Sequence, residues 1–148
     1  MKVFVFILLS SVVLACGPGQ GSSVKASLSS EERILFEKYL IQGKSIYKSK
    51  CQNCHMGNGK GLKTLIPPLA SADYLFNHQD RVACLIKNGA KKKLLVNGVE
   101  FAPTMPAHPD LTNLEIAEVM TYINNSWENE IGLVKPQDVQ KWLTNCSD

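Results

Sequence analysis

The chain has 148 residues, a formal charge of +3 and 20% charged residues. That length suits one ordinary domain plus a tail, and neither an internal repeat nor a second domain is visible. A charge this small gives no electrostatic footprint for nucleic acid, which is excluded as an expected partner.

Taken from the N-terminus, Lys2 precedes an apolar run, Val3 to Leu14, broken only by Ser10 and Ser11. A bilayer span needs about 20 apolar residues, so residues 1–15 read as a secretory signal instead. The run ends Val13-Leu14-Ala15-Cys16, which resembles the lipobox of bacterial lipoproteins. That resemblance implies cleavage before Cys16 and acylation of its thiol and of the new N-terminus. Each buried methylene is worth ~0.8 kcal/mol, so two or three chains anchor a protein stably. An ordinary signal with an incidental cysteine is the alternative. The Gly/Ser-rich residues after Cys16 read as a flexible tether over 16–28, and the folded domain is expected over 29–148.

Ser29-Ser30-Glu31-Glu32 opens a helix with capping hydroxyls and early acids. Phe36, Leu40, Gly43 and Tyr47 continue it as one apolar stripe. Gly43 on that stripe points to the close approach of another backbone. Residues 56–70, with three glycines and two prolines, form a loop. The next helix is expected from about Asn77 to Asn88, capped by Asn77 and closed by Gly89, with Val82, Leu85 and Ile86 inward. Lys91 to Lys93 read as a solvated loop and only secondarily as a docking patch. Val96-Asn97-Gly98-Val99 signals a short hairpin. Thr112 and Glu115 form a capping box before Ile116, Val119, Met120, Ile123 and Trp127. Pro136 suits the first turn of a last helix that runs to about Thr144. The expectation is an all-α domain of four or five helices with long loops and one short β-hairpin.

Cys51-Gln52-Asn53-Cys54-His55 carries the chemistry. C-x-x-C-H is the attachment pattern of a c-type haem: thiols three residues apart on a helical turn share one side, and the adjacent imidazole falls beneath the iron. A thioredoxin-like reading needs a βαβ context that is missing, and a zinc site needs about four ligands, usually paired. The sixth position on the iron has five candidates: Met56, Met105, Met120, His78 and His108. Met56 adjoins the proximal histidine, and Met120 sits on an apolar helix stripe. Met105 stands in Pro103-Thr104-Met105-Pro106, where no packing period explains a methionine. It is the expected ligand, with His108 its main rival. The metal ligands are therefore expected to be His55 and Met105, with Cys51 and Cys54 binding the cofactor.

These stretches together resemble the class I bacterial cytochrome c, a monohaem domain found alone or fused to dehydrogenases, oxidases and nitrite reductases. Besides CQNCH, the matching residues are Gly43-x-x-Ile46-Tyr47, Gly57-x-Gly59-x-Gly61 and Ile66-Pro67-Pro68-Leu69-Ala70. Lys87-Asn88-Gly89, Val96-Asn97-Gly98, Pro103-x-Met105-Pro106 and the run from Leu111 to Trp127 complete the match, so that about residues 40–128 are covered. The resemblance implies a helical fold packed around one covalent haem c with its iron. It implies that the Pro67 carbonyl accepts the Nδ1–H of His55, that Leu69 packs on the haem, and that Gly43 and Tyr47 cross the 112–127 helix near Val119 and Ile123. The chain departs from the common pattern at Met56, where many relatives have glycine.

Cys84 and Cys146 are left over. An exported compartment permits disulfides, so a bridge between them is expected, with two buried free thiols as the alternative. The expected function is membrane-tethered one-electron transfer between redox proteins (an oxidase, dehydrogenase or reductase) rather than catalysis. A peroxidase-like haem enzyme and a gas-binding sensor, each with a displaceable sixth ligand, are the alternatives. Export is expected to leave the protein lipid-anchored, facing the periplasm or cell exterior. Gly17, standing where lipoproteins retained at the inner membrane often have aspartate, slightly favours the outer membrane.

Overall fold

The structure, a computed structural model, describes residues 23–146. The expected signal segment, Cys16 and residues 16–22 of the expected tether lie outside the described residues. The last part of that tether differs from expectation: Ser23–Ser27 forms a short helix, α1. Local partners explain it. The Lys25 ammonium pairs with the Glu37 carboxylate, and the Arg33 guanidinium donates to the carbonyls of Leu28 and Ala26.

Helix α2 (Ser30–Ile46) begins with a full capping box, in which the Ser29 hydroxyl accepts from the Glu32 amide and the Glu32 carboxylate accepts from the Ser29 amide. Its buried residues Phe36, Tyr39 and Gly43 face α6 (Asn113–Asn124), which opens with the Thr112–Glu115 capping box. A β-carbon on Gly43 would stand 2.0 Å from the Glu118 carbonyl oxygen and 2.8 Å from the Tyr122 β-carbon. Nothing but glycine lets the two helices meet at that separation. The crossing therefore rests on Glu118 and Tyr122, one residue away from the expected Val119 and Ile123. Those two face a cleft instead.

Helix α2 passes into a wide π turn (Tyr47–Cys51) and then a single helical turn, α3 (Gln52–His55). The expected helix start at Asn77 is corrected. Asn77 ends a short helix, α4 (Asp73–Asn77), and α5 (Gln79–Asn88) starts after His78 without a side-chain cap. Asp73 and the hairpin hold α4 in place: its carboxylate accepts from the amides of Tyr74 and Asn97, and its own amide donates to the Asn97 side chain. The hairpin pairs β1 (Leu94–Val96) with β2 (Val99–Phe101), antiparallel, around Asn97 and Gly98 at φ 50° and 77°. Two positive φ values in succession are what a two-residue turn of this hand requires.

Helix α6 stops at Asn124, three residues before the expected end. The Asn125 amide group donates to the carbonyls of Thr121 and Gly132, which satisfies the helix end and turns the chain. The last helix, α7 (Pro136–Thr144), packs on α5 and α6 and carries the buried Val139. Cys84 on α5 is bonded to Cys146 just past α7, with Cα atoms 5.7 Å apart. The domain is thus mostly helical with one small two-stranded antiparallel sheet, its core centred on Tyr47, Leu75, Ile116, Val119 and Met120. No described helix is long and apolar enough to cross a membrane.

Candidate functional site

The π turn sets the site. Its wider bond, from the Gln52 amide to the Tyr47 carbonyl, adds a residue to the turn ahead of the Cys51–His55 segment and re-aims that segment. Cys51 ends the turn half-buried, Cys54 is exposed, and both are free thiols. His55 is buried.

Cys51 and His55 lie at the wall of an apolar cleft holding about 660 Å³ of space, its open side included. Tyr47, Val119 and Ile123 form one side, Val82, Leu85 and Ile86 of α5 another, and Leu69, Leu94 and Met105 the loop side. A second, adjacent cleft shares His55, Pro67, Leu94 and Met105 as lining residues and is bounded by Cys54, Ile66 and Phe101. Cys51 thus lines the first cleft and Cys54 the second, with His55 and Met105 on the walls of both, and the pair of clefts is called the slot below. Of the five candidates for a sixth ligand, Met105 lines this slot and Met56, Met120, His78 and His108 do not. Met120 is wholly buried in the helical core, and His78 stacks on Tyr74 with ring centres 4.8 Å apart.

The His55 ring is oriented by its Nδ1, 3.1 Å from the Pro67 carbonyl oxygen. A carbonyl can only accept, so Nδ1 carries the proton and Nε2 keeps its lone pair. Burial lowers the His55 pKa and the Pro67 carbonyl opposes this. The neutral ring is the form that binds a metal. Burial, reinforced by Cys54, pushes the Cys51 thiol up to about 11.

The loop that presents Pro67 is folded back under His55. The Gly61 amide donates to the His55 carbonyl, and the amides of Leu69 and Ala70 both donate to the Gly59 carbonyl. Gly61, at φ 63°, has its α-carbon so close to this loop that a β-carbon would meet the Ile66 and Pro67 carbonyl oxygens at 2.2 and 2.5 Å. Trp127 covers Gly59, and its indole N–H donates to the Gly57 carbonyl at 3.0 Å. With Tyr47 and Tyr122 it makes an aromatic triad, ring centres 5.2 to 5.8 Å apart, where α2 crosses α6.

Two thiols flanking an apolar slot, with an oriented neutral imidazole on its wall, suit a large planar apolar cofactor joined by thioethers. Among the described residues no group of three or more His, Cys, Asp or Glu side chains is placed to hold a metal ion. A sequence model of the cytochrome c family matches residues 40–127, from α2 to Trp127. The chain belongs to the cytochrome c family. Its residues fit the covalent haem c of that family: Cys51 and Cys54 would hold it and His55 would bind its iron.

Relatives of this cytochrome c include the cytochrome c subunit of the quinone alcohol dehydrogenase of Gluconobacter oxydans (strain 621H), 30% identical over 106 residues. The same subunit from Gluconacetobacter polyoxogenes and from Komagataeibacter europaeus is 30% identical over 105 residues. The matches cover 69% and 68% of this cytochrome but only 22% of each relative.

Three residues that shape the site were given no role by the sequence, although Gly61 belongs to one of its matching stretches. Gly61 and Asn129 touch the loop under His55, and Tyr74 lines the slot from α4. The repeated Gly57-x-Gly59-x-Gly61 spacing is the local signal for the first. No local pattern marks the other two, and the loop that Asn129 holds lies about sixty residues away in the chain.

Proposed function

We propose that this protein is a monohaem class I cytochrome c that carries single electrons, with His55 and Met105 as axial ligands. The observation that carries this reading is that His55 and Met105, fifty residues apart in sequence, line the same apolar slot. Bound haem supplies a reversible one-electron couple. The chain's own residues supply the rest. The thiols of Cys51 and Cys54 fix the group in place, and the Pro67 carbonyl holds the His55 ring and raises its donor strength. Leu69, Val82 and Ile86 exclude water. A thioether sulfur from Met105 favours the reduced state and places the potential above that of a bis-histidine site. If His55 and Met105 both bind the iron, no coordination site would be left for a substrate, which favours a carrier over an enzyme.

The same reading places the protein outside the cytoplasm. A signal segment over residues 1–15 and acylation of Cys16 would tether it to a membrane, with Gly17 favouring the outer one. Its partners would be redox proteins. The likeness to subunits of quinone alcohol dehydrogenases supports a dehydrogenase as the electron donor.

The test is the visible spectrum of the protein matured in a host with haem-attachment machinery, oxidised and reduced. A sharp reduced α-band at the thioether-haem position with a weak far-red oxidised band is the expected result. A colourless protein that binds zinc would overturn the assignment. Membrane extraction of wild-type and Cys16→Ser chains tests the anchor: the variant should appear in the soluble fraction.

A further inference from the structure

The family match ends at Trp127, yet the chain continues through a segment that returns to the haem-side loop. Asn129 is its most buried polar residue, 2% exposed. Its side-chain amide donates to the Leu69 carbonyl at 3.0 Å and to the Ile123 carbonyl at 2.8 Å. Its side-chain carbonyl accepts from the Ser71 amide at 2.9 Å. One side chain thus closes both sides of the Leu69–Ser71 backbone and ties it to the end of α6.

Those bonds matter for the residues just upstream. The Pro67 carbonyl orients His55, and Leu69 forms part of the slot wall. On its other side the same stretch is held through backbone, by the Gly59 carbonyl. The Leu69 carbonyl and the Ser71 amide are backbone groups that would otherwise need water. Water at Leu69 would stand next to the apolar slot. Ile131 continues the same segment, its amide donating to the Asn124 carbonyl, so the tie is anchored on both flanks.

We infer that Asn129 is a positioning residue for the proximal haem ligand, acting through Leu69–Ser71 and Pro67 on the His55 ring. This rests on the proposed haem-bearing function. It assigns to the segment beyond the family match a role in tuning the cofactor, distinct from simply covering the core. When the tie is lost, the 67–71 segment loosens, the Pro67 carbonyl holds the His55 Nδ1–H less well, and the ring becomes a poorer donor to ferric iron. The potential then rises.

Asn125 provides a control. It is the same residue type, at the end of α6 just before this segment, and its side chain bonds to Thr121 and Gly132 rather than to the 67–71 loop. Asn129→Ala and Asn125→Ala are compared as holoproteins by thermal unfolding, by reduction potential, and by the His55 ring and Leu69 methyl signals in the NMR spectrum of the reduced state. The expected result is that both variants lose stability, while only Asn129→Ala raises the potential and shifts both sets of signals. An Asn129→Ala protein that unfolds earlier but keeps the wild-type potential and His55 signals overturns the inference and leaves the haem assignment standing. A wild-type protein without thioether-bound haem overturns both.

Discussion

The Tyr47 hydroxyl donates to the Met56 carbonyl at 2.6 Å, and Met56 sits at φ 64° and ψ 160°. That backbone region belongs to glycine, and holding another residue there costs on the order of 1–3 kcal/mol. Tyr47, wholly buried at the α2–α6 crossing, pins the strained carbonyl directly after His55. The residue that departs from the common sequence pattern is therefore also one that carries backbone strain.

Met56→Gly should relieve that strain, offset in part by the entropy of a freer unfolded chain, for a net gain of about 1 kcal/mol. Tyr47→Phe should lose about 1 kcal/mol, because it deletes one buried hydrogen bond and leaves the Met56 carbonyl with the Gly59 amide alone. Denaturant unfolding of the two holoproteins checks both signs. A destabilised Met56→Gly chain would mean that the methionine side chain contributes more than the strain removes.

Met105→Ala should remove the sixth ligand. The weak far-red oxidised band should vanish, the potential should fall, and carbon monoxide should bind the reduced variant but not the reduced wild type. A far-red band that survives Met105→Ala would sink the ligand assignment and turn attention to another donor. His108→Ala is the companion measurement, expected to leave the spectrum unchanged.

Cys84 and Cys146 close a loop of 62 residues. In the chain-entropy description such a bridge stabilises by about 4 kcal/mol. The double variant Cys84→Ser/Cys146→Ser should lose up to that amount in chemical unfolding, with its haem spectrum intact, since neither cysteine belongs to the attachment pair. Equal stability of wild type and double variant would show that the two thiols are not joined in the purified protein.

Burial holds the Glu118 carboxyl above its usual range, opposed by Lys38. A raised carboxyl pKa means that its contribution is fully present below the unfolded value of about 4.3 and is lost as pH rises through the folded value. Glu118→Gln should therefore match the wild type near pH 4 and exceed it in stability at pH 7. The paired and capping carboxylates Glu32 and Asp110 are lowered and act with the opposite sign, but they are common to both chains and cancel in the comparison; Glu115, also lowered, adds to the rise of Glu118. A constant difference between the two proteins across that range would refute the assignment.

Much of this fold is legible in the sequence because it is written in local patterns. The Thr112–Glu115 box, the Asn97-Gly98 turn, Pro136 at a helix start and the apolar stripes of α2 and α6 each depend on residues within a few positions of one another. Their physics is short-ranged, so spacing suffices. Element ends are harder. Asn77 has the chemistry of a cap, yet the Asp73–Asn97 bonds between α4 and the hairpin claim the chain first. Trp127 continues the helical period of α6, but the Asn125 amide bonds end the helix before it.

Residue type and spacing are enough for the family chemistry, through Cys51, Cys54 and His55, and for the glycine at the helix crossing, through Gly43 on a buried stripe. Which faces meet is a property of the folded chain. The tertiary structure set Gly43 against Glu118 and Tyr122, turned Val119 and Ile123 toward the slot, and brought Asn129 back to Leu69 and Ser71 across about sixty residues. The reason is physical. Residue type and spacing settle what a segment prefers locally, whereas the rotation of a packed helix and the reach of a buried amide are set by all the side chains that must share one volume.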